Sequence, residues 1–261
     1  MNELLATAER LARKAGLVAL EGRRSGAVTA DTKSSPTDMV TRYDRECERI
    51  IVEGLRKDRP DDAIVGEEGT STPGTSGIEW HIDPIDGTSN FFFDLPAWSC
   101  SIGARDAEGP LVGAVYLPVL DEMFTATRGG GAFMNGRPIA PRGVTEVSQA
   151  LLATGFGYDP DKRTAHGGIV ARMVGKVRDI RRLGAASVDM CFVACGRLDA
   201  YCEGGLNSWD VMAARVVLTE AGCTVSDMRG GPAGDHEIIA APPSIHGGIV
   251  SLYAQASREA Q

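Results

Sequence analysis

Two carboxylates three residues apart, Asp83 and Asp86, stand in residues 80–90, WHIDPIDGTSN, between an apolar lead-in and a turn that ends in Gly87, Thr88 and Asn90. Asp and Glu are hard oxygen donors, and acids crowded together repel one another unless a cation joins them. Pro84 fixes its own φ and offers no N–H, while Gly87 permits a backbone path closed to a side chain. Acids, a turn and amide donors in one short stretch suit a metal ion and an oxyanion together. Two more acids stand where they could join the pair: Glu67, ending a strand in GEEG, and Asp210, opening a helix after Trp209. Each has a plainer role to set against this. Asp210 is a usual helix N-cap type, Glu67 and Glu68 could simply be solvated, and Asp86-Gly87 could be an ordinary turn. All the plain roles held at once leave the D-P-I-D-G-T order without a reason.

The composition frames this chemistry without naming it. A chain of 261 residues, 43% hydrophobic and 24% charged, has the make-up of a globular protein with a large core. A formal net charge of −8 argues against a nucleic-acid surface, which would need a concentrated basic patch. The basic cluster at 176–182 is short and is interrupted by Asp179. No apolar run is long enough for a membrane span, and the start of the chain lacks the basic-then-apolar order of a signal peptide, so a cytoplasmic location is expected. Cys47, Cys100, Cys191, Cys195, Cys202 and Cys223 lie among apolar neighbours without CxxC spacing. Cys191 and Cys195, four apart, could pair on zinc, but buried reduced thiols fit the neighbours better.

The elements that must carry the acids follow from periodicity. Residues 3–24 have Leu4, Ala8, Leu11, Ala15 and Val18 at helical spacing. After a polar connector, Thr41 and Asp44 resemble a capping box that opens a helix burying Cys47, Ile50, Ile51 and Leu55, which is also the plain role of Asp44. Residues 63–69 form a strand, 70–78 a surface loop, and 99–104, 111–117 and 123–127 further strands, with a hairpin turn at Asn135-Gly136. Helices packed on an antiparallel meander result. Beyond residue 150 the pattern alternates: strands at 151–155, 179–183, 198–202, 224–226 and 238–241, and helices at 164–177, 186–195, 210–221 and 245–256. That alternation predicts a mixed sheet with helices on its faces.

Residues 83–91, DPIDGTSNF, resemble a signature of the inositol monophosphatase family, and 209–222, WDVMAARVVLTEAG, resemble its second signature. KSSPTDMVTRYD at 33–44 and GEEG at 66–69 resemble its other landmarks, in the expected order. The resemblance covers nearly the whole chain. It implies a mixed α+β and α/β fold, the layered αβαβα sandwich of the inositol monophosphatase and fructose-1,6-bisphosphatase type. Residues 1–261 would form a single domain, with an α+β part over about 1–145 and an α/β part over about 146–261. It implies that Glu67, Asp83, the Ile85 carbonyl, Asp86 and Asp210 hold two or three Mg2+ ions. Thr88 and Glu67 would position the attacking water, with Lys33 and Asp44 in the outer part of the site near a weaker metal position. The amides of Gly87 and Thr88 would take phosphate oxygens. Asp86, Ala186 and Glu203, seven residues before Asp210, would face the substrate; for Glu203 the plain alternative is a solvated loop carboxylate.

The implied activity is lithium-sensitive, Mg2+-dependent hydrolysis of a small polyol phosphate monoester by two-metal activation of water, with inositol 1-phosphate foremost. A homodimer is implied, with no nucleic-acid or membrane partner. Histidinol phosphate and fructose 1,6-bisphosphate are alternative substrates, and a regulatory binding protein that keeps the fold is an alternative of another class. Phe91, Phe92, Phe93 and Trp98 form an aromatic group suited either to an interface or to the core. The chain departs from the family pattern at Gly184-Ala185-Ala186, which lacks a hydroxyl, at Asp94, where glycine or a basic residue is usual, and at Ser89, which replaces threonine.

Overall fold

The computed structural model describes residues 2–26, 28–33 and 39–260, so positions 34–38 of the 33–44 motif lie outside the described residues. Helix α1 (Asn2–Arg24) buries Leu4, Ala8, Leu11 and Ala15, as their spacing predicts. After it β1 (Ala30–Thr32) pairs antiparallel with β2 (Met39–Thr41). Thr41 then caps α2 (Arg42–Asp58): its hydroxyl accepts from the Tyr43 N–H at 3.1 Å, and Asp44 Oδ2 accepts from the Thr41 N–H at 2.7 Å.

A first large sheet follows from β3 (Ala63–Gly66), β4 (Ser71–Thr72), β5 (Glu79–Asp86), β6 (Ser99–Asp106), β7 (Gly109–Leu117), β8 (Glu122–Thr127), β9 (Gly131–Met134) and β10 (Arg137–Pro138). A single-turn helix, α3 (Thr88–Phe92), interrupts the run after β5. The sheet order is β10-β9-β8-β7-β6-β5-β3-β4, antiparallel throughout except that β3 and β5 are parallel. Asn135 and Gly136, both at positive φ (49° and 74°), make the β9–β10 turn that the sequence predicts.

The second sheet comes from β11 (Leu151–Thr154), β12 (Asp179–Arg181), β13 (Ala200–Gly204), β14 (Thr224–Ser226) and β15 (Glu237–Ala241), in the order β12-β11-β13-β15-β14. Between its strands run α4 (Pro160–Met173), α5 (Ala186–Ala194) and α6 (Ser208–Glu220), and α7 (Pro243–Ala260) closes the chain. Helix α4 begins four residues before the predicted Thr164. The Asp159 carboxylate accepts from the N–H groups of Asp161 and Lys162 at 3.0 Å, and Pro160 suits a first turn. The strand predicted at 198–202 is displaced to β13, which places Glu203 inside a strand rather than a loop.

Three apolar clusters define the layers. Helices α1 and α2 cover one face of the first sheet, with Leu11, Ile51, Trp80, Ile102 and Tyr116 at their centre. Helices α5 and α6 lie between the two sheets, where Val115 and Phe124 meet Val193, Val217, Tyr201 and Ile238. Helices α4 and α7 close the far face against Leu152, Cys202 and Ile239. This is the αβαβα order. In β15, Ile238 and Ala240 face the middle layer while Ile239 and Ala241 face the outer one, so a strand buried on both sides reads as a continuous apolar run. The aromatic group divides: Phe91 and Trp98 are buried with ring centroids 5.0 Å apart, whereas Phe93 is 65% exposed. All six cysteines are free thiols, and burial pushes the Cys191 and Cys195 thiols above their ordinary range, against the thiolate a metal requires. Among the described residues no helix is long and apolar enough to cross a membrane.

Candidate active site

The parallel pair inside the first sheet sets the acids side by side. Gly66 is in register with Ile82, and the Glu67 N–H donates to the Ile82 carbonyl at 3.2 Å, so Glu67 stands beside Asp83 just past the end of the parallel pairing. Asp83 and Asp86 do not occupy a turn, as the sequence alone suggests. β5 continues through both, with a register shift against β6 between them, and this bulge lets Asp83, the Ile85 carbonyl and Asp86 face one pocket. The turn is Gly87 alone, at φ 90°, ψ 42°. A Cβ there would lie 3.0 Å from the Ala185 Cβ and 3.1 Å from the Ala97 carbonyl oxygen. Asn90 is not a site donor: its side-chain N–H groups donate to the carbonyls of Ala97 and Leu183 and tie the loops behind α3.

Asp210 arrives on α6, and its position depends on glycines in the first sheet. Gly103 and Gly113 are cross-strand partners, and a Cβ on either would strike the α6 backbone at Ala213, one turn beyond Asp210. The helix therefore lies directly on the sheet. Asp210 also forms a capping box with Asn207, accepting from the Asn207 N–H at 2.7 Å. At the preceding residue but one, Ser208 Oγ lies 2.8 Å from His81 Nδ1 of β5.

One pocket gathers Glu67, Asp83, Ile85, Asp86, Gly87, Thr88, Ala186, Glu203 and Asp210. Lys33 and Asp44 stand outside its lining and touch residues that line it. Lys33 Nζ donates to Glu67 Oε1 at 2.9 Å and also pairs with Glu68; burial pulls its pKa down, but the two carboxylates outweigh burial and hold it above the ordinary value. Asp44 is fully buried and accepts from Thr88 Oγ1 at 3.0 Å, so its capping role and its contact with the site coexist. Burial raises its pKa to about 6.

The acids are electrostatically frustrated. Burial lifts Asp83 and Asp210 well above the ordinary carboxylate range, and mutual repulsion with Glu67 and Asp86 adds to it. Glu67 is raised by burial against the pull of Lys33. Its Oε2 atom is buried without a hydrogen-bond donor. Among the described residues no trio of acid, histidine or cysteine side chains closes into a ready-made cage. The acids are instead tethered separately: Glu67 to Lys33, Asp210 to Asn207, and Asp86 to α5. A donorless buried oxygen among hard, crowded carboxylates fits a divalent cation.

Asp86 accepts more hydrogen bonds than the other acids that line the pocket. Its Oδ1 accepts from the Ala186 N–H at 3.1 Å, and its Oδ2 accepts from the Ser187 N–H at 2.7 Å and from the Ser187 hydroxyl. Burial raises its pKa to about 6 despite these bonds. The hydroxyl missing at 184–186 is thus found one residue later, turned toward Asp86. Glu203 is held from behind by the Tyr201 hydroxyl, and burial raises its pKa to about 7. Sequence reasoning missed Gly155, Phe156, Gly157, Tyr158 and Arg182, which also line the pocket. The Gly-Phe-Gly run directly after a strand is the signal that could have found them.

Comparisons with known proteins place the chain in a family. A sequence profile of the Inositol monophosphatase family matches residues 1–258. Inositol-1-monophosphatase SuhB of Mycobacterium tuberculosis (strain H37Rv) is 43% identical over 233 residues, covering 85% of this chain and 79% of that protein. Nus factor SuhB of Escherichia coli (strain K12) is 39% identical over 234 residues, covering 88% and 87%. Among solved structures, an IMPase from Thermotoga maritima superposes with a TM-score of 0.90 at 32% identity, covering 100% of both chains. The extragenic suppressor protein SuhB of Bartonella henselae also gives 0.90, at 30% identity over 96% and 98%. With the matched profile spanning almost every residue, this chain belongs to the inositol monophosphatase family.

Proposed function

We propose that this chain hydrolyses a small polyol phosphate monoester, with inositol 1-phosphate as the leading substrate. The observation that carries this reading is the convergence of Glu67, Asp83, Asp86 and Asp210 on one pocket, with a buried Glu67 oxygen left without a donor. Glu67, Asp83, the Ile85 carbonyl, Asp86 and Asp210 are the residues that would hold Mg2+, two or three ions as the family resemblance implies. Bound there, the cations supply the positive charge the acids lack and make a water nucleophilic at neutral pH.

The remaining work falls to the chain. The N–H groups of Gly87 and Thr88 face phosphate oxygens; α3 is a single turn, so these donors matter rather than a helix dipole. Thr88 Oγ1 lies 3.0 Å from Asp44 Oδ1 and 3.1 Å from the Ile85 carbonyl oxygen. It has one proton to give, and with that proton held by Asp44 its oxygen is an acceptor that orients water beside Glu67. Lys33, donating to Glu67 at 2.9 Å, favours its ionised form and holds it toward the same water. Glu203, fixed by Tyr201, accepts from hydroxyls of the leaving alcohol. A panel of inositol 1-phosphate, histidinol phosphate and fructose 1,6-bisphosphate, with Mg2+ titration and added lithium, tests the reading. Metal-dependent, lithium-sensitive release favouring inositol 1-phosphate is expected, and a strong preference for histidinol phosphate would overturn the substrate assignment.

A regulatory role is the second reading, and the relatives named Nus factor SuhB at 38–39% identity favour it. It need not exclude catalysis, since the acid set is complete. Release of no phosphate from any monoester in the same panel would move it ahead.

A further inference from the structure

The inner end of the pocket is accounted for by acids and amides, but its outer end carries a positive group with no role so far. Arg182 lines the pocket beside Glu203, Gly155 and Tyr158, and it is exposed at the mouth. Two glycines make room for the charged side chains there. A Cβ on Gly155 would run into the Glu203 carboxylate, and a Cβ on Gly184, which sits at φ 92°, would run into Arg182 Nη1. The Tyr201 hydroxyl holds Glu203 from behind. Arg182 also draws down the pKa values of Glu203 and of Asp189, a carboxyl on α5 that is 1% exposed and whose Oδ1 has no donor.

The outer end thus offers one fixed acceptor and one fork of donors, of opposite charge. Adjacent hydroxyls of a neutral alcohol satisfy both, one donating to Glu203 and the next accepting from the guanidinium. An ammonium on the alcohol would gain Glu203 but meet Arg182. A second phosphate would gain Arg182 but meet Glu203. We infer that Arg182 is a specificity-determining residue which, opposed to Glu203, admits a neutral vicinal polyol as the leaving alcohol and disfavours alcohols that carry net charge. The inference rests on the phosphatase reading above and deepens it to a substrate class.

The test compares wild type, Arg182→Gln, Arg182→Lys and Glu203→Gln on inositol 1-phosphate, histidinol phosphate and fructose 1,6-bisphosphate, with Mg2+ present. Each kcat/KM is divided by the same variant's value for p-nitrophenyl phosphate, which lacks a polyol. Removing one charge several ångströms from another changes relative kcat/KM by about tenfold at the dielectric of a pocket mouth. Arg182→Gln is expected to raise histidinol phosphate over inositol 1-phosphate by that order, and Glu203→Gln to raise fructose 1,6-bisphosphate likewise. Arg182→Lys keeps the charge, so it should hold the wild-type ratio of histidinol phosphate to p-nitrophenyl phosphate while raising KM for inositol 1-phosphate. Hydrolysis with unmoved ratios, or Lys behaving as Gln, would overturn the charge filter and leave the phosphatase reading standing. Silence of the wild type on all four substrates would overturn both.

Discussion

The two large sheets use the same device for opposite ends. The first is antiparallel apart from one parallel pair, the second joins two parallel pairings to two antiparallel ones, and in each the site forms where a parallel pair ends. In the first sheet Gly66 pairs with Ile82, so the next residues, Glu67 and Asp83, stand carboxyl against carboxyl. In the second, Thr154 pairs with Cys202, so the next residues are Gly155 and Glu203, a carboxylate over a residue without a side chain. Ligands gather beyond the carboxyl ends of parallel strands because side chains from neighbouring strands converge there. What differs is what the ends present. The first sheet concentrates charge that needs a cation, which suits bond breaking; the second leaves room beside one acceptor, which suits choosing the alcohol. Helices α5 and α6, lying between the sheets, join the two ends through Asp86 and Asp210.

Variants at the two ends should therefore fail differently. Glu67→Gln removes an acid of the first sheet and is expected to lower phosphate release by about 10²–10³-fold on every monoester, polyol and aryl alike, in steady-state assays. Gly155→Ala puts a methyl group where the Glu203 carboxylate lies. It is expected to lower kcat/KM for inositol 1-phosphate by about tenfold or more, with a smaller loss on p-nitrophenyl phosphate. Equal losses on both substrates would break the division of labour.

The crowded end also predicts a pH dependence for metal-free protein. Asp44 and Asp86 have folded pKa values near 6 and Glu203 near 7, raised by burial above those of the unfolded chain. Between about pH 4 and 7 the folded state holds more protons, so stability falls as pH rises through that window. Thermal unfolding in a chelator should show a lower Tm at pH 8 than at pH 5, and added Mg2+ should flatten the slope. A rise of Tm with pH would contradict the assignment of raised values. Asp86 adds a nuance, since its loss also strips three hydrogen bonds from α5. Asp83, with one accepted N–H at 3.1 Å from Ile85, is the acid whose neutralisation should stabilise the metal-free fold. The smallest effect lies outside the site. Asp94 sits at φ 61°, the left-handed region that suits the glycine usual there, so Asp94→Gly should raise stability by up to about 1 kcal/mol in urea unfolding.

Much of this was legible because it is local. The Thr41/Asp44 capping box, the apolar stripe of α1, the Asn135-Gly136 turn and the acids of the DPIDGT stretch are each set by residues within a few positions of one another. The fold class was legible through the family resemblance together with the alternation after residue 150. What escaped depends on distant partners. The bulge at Asp83–Asp86 exists because β5 pairs with β6, and nothing within 80–90 shows that. The glycine floor at Gly103 and Gly113 has meaning only once α6 lies on it. Arg182 reads as part of a surface basic run until β12 and α5 bring it to the pocket mouth. Ser187 likewise reads as an ordinary helix residue until it meets Asp86, 101 positions earlier.

The central claim is that the converging acids hold a divalent cation and through it hydrolyse a phosphate monoester. Its most direct test is Mg2+ binding and phosphate release from inositol 1-phosphate, measured side by side on wild type and Asp83→Asn after chelation and Mg2+ re-addition. Wild type should bind Mg2+ and regain activity, while Asp83→Asn, folded and at least as stable without metal, should do neither. Release by Asp83→Asn at the wild-type rate, or release by wild type undiminished in chelator, would contradict the account.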